Sequence, residues 1–397
     1  MHLVRAAFRH SLNYYLAVIS EIVSPAVRAL ATIWCGRTSP PASWKKGLIV
    51  THTHIGDVLY RAPSLPHLAR LLPGCQWYYL CSEGSAAVLR GRNDLAGVLP
   101  FVIGEDSWTL KSGGFSALRK HHFDVALCSN TLRRYPDLLL CIALRIPNRV
   151  SYNYKGLSGL LTKAVRVNYP SPFPAYFRAM VGQVGNAPGD WALRPSIPLD
   201  AADSKPADEL YDKLNPGNGP VLVCCPTTRQ TAGAWPSNHF LAAAEEVAEA
   251  SGARVLMCGA ATDRALLEAM ARHARVPCDV IAGTLSIKSF AALISRCTVV
   301  LAQDSAPRHL ANAVGTPVVF LRNLGGSHVE TGVYCDSEID AAPSDEFVTE
   351  AGSAEVFAAT SPSSIAQLVL RAMSSRPGHI GSRADDPAMK TPVERLH

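Results

Sequence analysis

Apolar and polar positions change period along the chain, and the changes mark out its elements. Residues 2–35 carry a broad apolar stripe that includes Leu12, Leu16, Ile19 and Val23, flanked by Arg and His. That pattern predicts a helix, broken or kinked at Pro25. A Pro- and Ser-containing stretch, 36–46, reads as a linker. From residue 47 short apolar runs alternate with helical ones: GLIVT (47–51), QWYYLCS (76–82), GVLPFVIG (97–104), FDVALCSN (123–130) and RVSYNY (149–154) read as strands. The segment 183–206, rich in Pro, Gly and Ala, is the best boundary. A second series follows, with strands at 220–226, 254–259, 278–283, 298–304 and 316–323 and helices at 239–251, 263–274, 286–297 and 305–314. Its strands are Val- and Leu-rich on both faces, as buried parallel strands are. Strands alternating with helices predict an α/β fold with parallel sheets and crossover helices. A closing helix, SSIAQLVLRAM, precedes a Ser/Arg/Pro/Asp tail that reads as disordered. Two doubly wound series in one chain place a ligand cleft at the carboxyl ends of both sheets.

The predicted organisation is therefore an N-terminal helix and linker (1–46), a first α/β domain (47–190), a second (200–360), a closing helix (361–373) and a tail (374–397). A length of 397 residues suits two to three domains. With 48% hydrophobic and 18% charged residues the chain can bury sizeable cores. No run of eighteen uncharged apolar residues occurs, which excludes an ordinary spanning helix, and no fixed-period repeat supports a solenoid.

Charge changes this picture more than composition does. The formal net charge of +6 is uneven: residues 1–46 hold six Lys/Arg against Glu21, and residues 111–166 hold ten against Asp124 and Asp137. Two basic zones on an otherwise acidic chain predict an anionic partner: nucleic acid, an anionic lipid surface or a phosphorylated acceptor. Residues 1–35 fit an amphipathic helix on a membrane surface, or a helix packed on its own domain. A secretory signal fits less well, because Glu21 interrupts the apolar stretch and no small-x-small cleavage site precedes the next charge. The eleven cysteines lie mostly in apolar runs without C-x-x-C spacing, which reads as buried reduced thiols in the cytoplasm.

Chemistry in such folds concentrates in the turns after strands, and four stand out. In T-H-T-H-I-G-D, Gly56 permits close backbone approach, and Asp57 reads either as a general base facing the cleft or as a helix N-cap. In P-T-T-R-Q-T-A-G-A-W-P, Thr227, Thr228 and Arg229 suit a diphosphate, and an ordinary loop fits equally well. In L-A-Q-D-S-A-P-R-H-L-A-N-A-V-G-T-P-V-V, Asp304 or Ser305 caps a helix that has Pro307 in its first turn and carries His309 about one turn in. Its free N–H groups form a ready phosphate site; a capped core helix with a surface His is the plainer reading. The glycine pair of R-N-L-G-G-S-H is the fourth. No Walker A motif, G-x-G-x-x-G after a strand or G-x-S-x-G elbow occurs. His52 and His54 alternate on one strand face without a carboxylate partner, so no metal site is predicted.

These residues carry a family likeness. Over roughly residues 47–373 the chain resembles the bacterial heptosyltransferases of glycosyltransferase family 9. IGDVLYRAPSLPHLARLLPG, AWPSNHFLAAAEEVAEASGARVLMCGAATD and AGTLSIKSFAALISRCTVVLAQDSAPRHLANAVGTPVVFL resemble three blocks of that family. The resemblance implies a GT-B architecture: two Rossmann-like doubly wound domains facing a cleft, here with an N-terminal helical extension. It implies Asp57 as the base that deprotonates the acceptor hydroxyl. Asp304, Ser305 and His309 would bind the donor's sugar and phosphates, Thr227 and Thr228 with Arg229 the diphosphate, and Asp263 and Leu285 the adenosine. The implied donor is an ADP-heptose used as co-substrate, transferred with inversion and without a metal or other cofactor. The implied acceptor is an anionic lipid-linked lipopolysaccharide core, contacted by Arg61, Arg133 and Arg134, at the inner face of the inner membrane. Three positions depart from the family pattern: Gly233 stands where a Lys is common, with Arg229 and Arg322 as replacement cations, Ala306 replaces a Gly, and Arg308 precedes His309. A transferase using another nucleotide sugar, a GT-B protein that kept the fold for binding or assembly, and an epimerase of the same fold are the rival readings. Nucleic-acid binding lacks an aromatic platform to go with the basic zones.

Overall fold

The computed structural model describes residues 22–51, 54–100, 114–129, 134–152, 158–229, 234–322, 328–343 and 360–374. Strands β1 (Lys46–Val50), β2 (Gln76–Cys81), β3 (Gly97–Pro100), β4 (Val125–Cys128), β5 (Asn148–Tyr152) and β6 (Lys163–Val165) form one sheet in the order β3-β2-β1-β4-β5-β6. Strands β7 (Val221–Cys225), β8 (Arg254–Met257), β9 (Cys278–Val280), β10 (Val299–Gln303), β11 (Val318–Leu321) and β12 (Glu338–Asp340) form the other, in the order β12-β11-β10-β7-β8-β9. Neighbouring strands are parallel, with Ile49 of β1 opposite both Tyr79 of β2 and Leu127 of β4. All five positions of β7 and of β10 are buried, because crossover helices cover both faces. Each sheet reverses its winding once, between β1 and β4 and between β10 and β7. Ligands of open α/β sheets bind at such points. The expected doubly wound α/β fold is present, with a sixth strand in each sheet (β6 and β12) that the pattern did not suggest.

The helices used below are α1 (Ser24–Cys35), α2 (Ile55–Arg61), α3 (Phe173–Gly185), α4 (Ala201–Leu214), α5 (Ser237–Ser251), α6 (Ala306–Val314) and α7 (Pro362–Ser374). Pro25 stands in the first turn of α1, where a missing N–H is harmless, so the predicted break falls at Val23 and there is no kink within α1; residues 1–21 lie outside the described residues. The expected linker 36–46 is pinned. Ser39 N–H donates to Asn148 Oδ1 at 3.1 Å, and the buried Trp44 donates from Nε1 to Ser39 O at 3.1 Å. The tail from 375 onward is outside the described residues.

One apolar cluster runs through both halves of the molecule. It takes in Ile49, Tyr79 and Leu127 from the first sheet and Val223, Leu256 and Val300 from the second, with Phe177 and Met180 of α3 and Tyr211 of α4. A second cluster lies on the other face of the second sheet, where Ile365 and Val369 of α7 meet Phe240 and Val247 of α5. All eleven cysteines are free, and burial pushes the Cys75 and Cys81 thiols up to about 12, so these two are unreactive at neutral pH.

Candidate active site

The turn after β1 opens α2. His54 holds the N-cap position and makes no side-chain cap; Asp57 lies inside the first turn, where the positive helix end favours a carboxylate. Asp57 is thus not the cap, and its side chain is 32% exposed, enough to meet a ligand. Arg61, one turn on, is buried. Its Nε donates to Ser129 Oγ at 2.6 Å, its Nη2 to Ser129 O at 2.7 Å, and its Nη1 to Asp57 O. Nη1 also lies 3.8 Å from Asp57 Oδ1. The sequence offered Arg61 as an acceptor contact; the structure turns it inward, onto the backbone and hydroxyl at the end of β4.

The turn after β10 opens α6. Ser305 occupies its N-cap position, but its side chain makes no cap hydrogen bond, so the helix N-terminus keeps unsatisfied donors. Residues 304–307 are partly exposed there. Asp304 does not cap the helix either: its Oδ1 accepts from Arg308 Nη1 at 2.8 Å. Arg308 is fully buried. Its Nε donates to Glu338 Oε1 at 2.6 Å, and its Nη groups donate to Thr331 O at 2.7 Å and Gly332 O at 2.6 Å. Its guanidinium lies 3.4 Å from the centroid of Phe320. Burial works against its charge, but the Asp304 and Glu338 carboxylates hold it well above the ordinary guanidinium range. Burial pushes the Asp304 carboxyl up, with Arg308 pulling the other way.

The two turns meet. A Cβ on Gly56 would sit 2.6 Å from His309 Cδ2, so only glycine permits this approach of α2 to α6. His309 is buried, not on the surface; its Nδ1 pairs with Tyr334 Oη at 2.8 Å, and its Nε2 lies 3.9 Å from Asp304 Oδ1. Burial, with Arg308 beside it, lowers its pKa well below the ordinary value, so the ring is neutral at neutral pH. With Nδ1 engaged by Tyr334, the ring turns Nε2 to the side of Asp304 and Gly56. Tyr60 of α2 packs edge-on against His309 at 4.5 Å and Tyr334 at 5.3 Å between ring centroids. Tyr60, Ser129, Tyr334 and Glu338 escaped the sequence reading; the Asp-x-x-x-Arg spacing repeated at 57–61 and 304–308 was the available signal for the two buried arginines.

The remaining donor-side residues follow neighbouring strands. Thr227 Oγ1 donates to Asp263 Oδ2 at 2.9 Å, and the same carboxylate accepts Ala260 N–H at 2.8 Å. Gly259 leaves no room for a Cβ beside Asp263 Oδ2, 2.8 Å away. Thr228 is partly exposed, Arg229 exposed, and Leu285 half-buried against the shared core. Thr227–Arg229 and Asp304–Ser305 follow β7 and β10 and so flank the reversal of the second sheet. Arg322 does not replace the missing Lys: it is wholly buried, donating to Asp340 Oδ2 at 3.3 Å and Pro343 O at 3.0 Å. The basic zone 111–166 is partly structural too, since buried Arg149 donates to Leu160 O at 2.7 Å and Ile146 O at 2.6 Å. Arg133, Gly233, His52 and the glycine pair at 325–326 lie outside the described residues; Arg134 begins a helix, Arg134–Ala143. Among the described residues no group of three or more His, Cys, Asp or Glu is arranged to hold a metal ion, and no helix is long and apolar enough to cross a membrane.

Comparison with known proteins agrees with the geometry. The family model for glycosyltransferase family 9 (heptosyltransferase) matches residues 115–330. Lipopolysaccharide heptosyltransferase 1 of Pseudomonas aeruginosa is 24% identical over 309 residues, 75% of this chain and 85% of that protein. The glycosyl transferase family 9 structure from Veillonella parvula superposes with a TM-score of 0.70 at 16% identity, covering 84% of this chain and 98% of its own. The E. coli ADP-heptose LPS heptosyltransferase II superposes with 0.65 at 17% identity, covering 83% and 98%. With the matched segment spanning more than half of its length, and running from just before β4 through the 304–309 turn, the chain belongs to glycosyltransferase family 9.

Proposed function

We propose that this chain is an inverting heptosyltransferase that moves a heptose from ADP-heptose to a lipopolysaccharide-core acceptor. The observation that carries this reading is the meeting of Gly56–Asp57 with Asp304–His309 between the carboxyl ends of two doubly wound sheets. The E. coli relative is named for ADP-heptose and the Pseudomonas relative for lipopolysaccharide, which supports the two substrates. In the reaction Asp57 takes the proton of the acceptor hydroxyl as its oxygen bonds the anomeric carbon. The bond from that carbon to the phosphate oxygen breaks, and ADP leaves with the electron pair. Asp304, Ser305 and His309 hold sugar and phosphate at the start of α6, whose positive end stabilises the departing charge. Thr227, Thr228 and Arg229 take the diphosphate, Asp263 and Leu285 the adenosine side, and Arg133 and Arg134 the anionic acceptor. The resting chemistry needs no metal.

The same reading places the enzyme on an anionic membrane surface at the cytoplasmic face. Support comes from α1. Its inner face is packed, with Ser24 Oγ 2.9 Å from Ser158 Oγ and Trp34 Nε1 donating to Ile142 O at 3.0 Å. Its outer face leaves Leu30 and Ile33 exposed, Ile33 by 82%, and Ile22 just before it is exposed as well. Arg28, Arg37 and Arg145 nearby are exposed, Arg145 lying 4.3 Å over the Trp34 ring.

Calorimetric titration with ADP, UDP, GDP and CMP tests the donor. Selective ADP binding, weakened in Asp304→Ala, is expected; preference for UDP or GDP replaces the sugar nucleotide, and no binding favours a non-catalytic GT-B protein. Sedimentation with vesicles containing anionic lipid tests the surface: Ile33→Ser with Leu30→Ser should leave the protein in the supernatant, and unchanged sedimentation overturns that placement.

A further inference from the structure

We infer that Arg61, anchored by Ser129, is a positioning residue that fixes the place of Asp57 for transfer. The inference rests on the reading of Asp57 as base and adds the means by which the fold aims it. Helix α2 spans only Ile55–Arg61, directly after β1. A seven-residue helix has little rigidity of its own. What fixes it is a guanidinium with three bonds, two of which cross the reversal of the first sheet. Two go to Ser129, at the carboxyl end of β4, and one goes back to Asp57 O, with the Asp57 carboxylate 3.8 Å from the same nitrogen. Ser129 is itself fixed to β1: its N–H and its Oγ both donate to Val50 O at 3.1 Å. The chain of contacts is closed, running from β1 to Ser129, to Arg61, to Asp57 and back to β1.

A buried guanidinium is costly unless its donors are matched. Here the matching groups are a hydroxyl and two carbonyls, and the carboxylate is left free on its other side. The hold is thus on the Asp57 backbone, and its carboxylate remains partly exposed toward the cleft. Displacement of a reacting group by about 1 Å costs on the order of a hundredfold in rate.

The test uses the full chain with ADP-heptose as donor and Kdo–lipid A as acceptor. Arg61→Met should lower kcat about a hundredfold and Ser129→Ala about tenfold, with the KM of both substrates and the affinity for ADP unchanged. Arg61→Lys, which keeps the charge and one donor direction, should fall between Arg61→Met and the parent. In an Asp57→Asn background Ser129→Ala should alter the residual rate less than twofold. A raised acceptor KM at constant kcat would make Arg61 a substrate contact and overturn the inference. Loss of ADP affinity in step with melting temperature would reduce Arg61 to a structural role. Independent effects of Ser129→Ala and Asp57→Asn would show that Ser129 does not act through the base. Full activity of Asp57→Asn alone would instead remove the base assignment itself, a separate failure. If Arg61→Met does not fold, Ser129→Ala and its double variant decide the matter.

Discussion

The two turns of the site are built on one plan and finished differently. Each follows a central strand, each opens a helix, and each sets an Asp four residues before a buried Arg. In the first half Arg61 spends its donors on neutral oxygens of Ser129 and Asp57, and the Asp57 carboxylate stays at 3.8 Å, one-third exposed. In the second half Arg308 binds two carboxylates directly, Asp304 at 2.8 Å and Glu338 at 2.6 Å, and both are largely shut off from water. The difference assigns different work to two similar turns. Under the proposed roles, the Asp57 carboxylate that would take a proton is steadied through its backbone, and the Asp304 carboxylate that would hold the donor is tied down itself.

The largest effect that would break this contrast is at Asp57. Asp57→Asn should lower kcat by 10²- to 10⁴-fold with ADP affinity nearly unchanged, as removal of a general base does; equal loss of both would give the two turns the same role. Next is Arg308. Arg308→Leu strands two carboxylates in a buried site and should cost about 3–5 kcal/mol in a urea titration, since removing one partner of a buried pair leaves the other uncompensated. A loss below about 1 kcal/mol would mean that the second half is no more rigidly tied than the first. Gly56→Ala pushes a methyl against the His309 ring and should reduce kcat/KM about a hundredfold in a steady-state assay, by separating the two turns. An unaffected enzyme would show that they do not act together.

The smallest effect is on the pH dependence of stability. His309 is held neutral in the folded protein, and its folded pKa is depressed. The unfolded chain therefore binds a proton that the folded chain refuses as pH falls through about 6.5. The stability linked to His309 is complete above that pH and is lost below it, by at most about 1.4 kcal/mol per pH unit. His67 and His121, lowered mainly by burial, act in the same direction. Urea midpoints at pH 7.5 and 5.5 should converge in His309→Gln relative to the parent; an identical slope would place the imidazole outside this balance.

The alternation of apolar runs with helical stretches made the doubly wound fold legible, because buried parallel strands must be apolar on both faces. It did not reveal β6 or β12, whose sequences KAV and EID carry charges and lack the apolar run that betrayed the equally short β9. Asp57 and the 304–309 turn were legible because strand-to-helix turns collect ligand contacts in such folds. The direction of the arginines was not. Arg61 and Arg322 were read as available to ligands, whereas burial of a guanidinium depends on oxygens supplied from elsewhere: Ser129 for Arg61, Asp340 and Pro343 for Arg322. Helical spacing in the first 35 residues foretold α1 and left its two readings open. The structure shows the described part, α1, packed on its own domain along one face and exposed along the other.

The apolar cluster that runs through both sheets bears on how the molecule comes apart. Because Tyr211 and Met180 share one core with strands of both halves, neither half has a complete interior without the other. Melting should be a single cooperative event. The same feature sets terms for recombination: a hybrid carrying the first half of this chain and the second half of a relative would inherit a mismatched interior as well as a new neighbour for Gly56. Surviving hybrids would be those in which α3, α4 and the residue facing Gly56 cross over as a set.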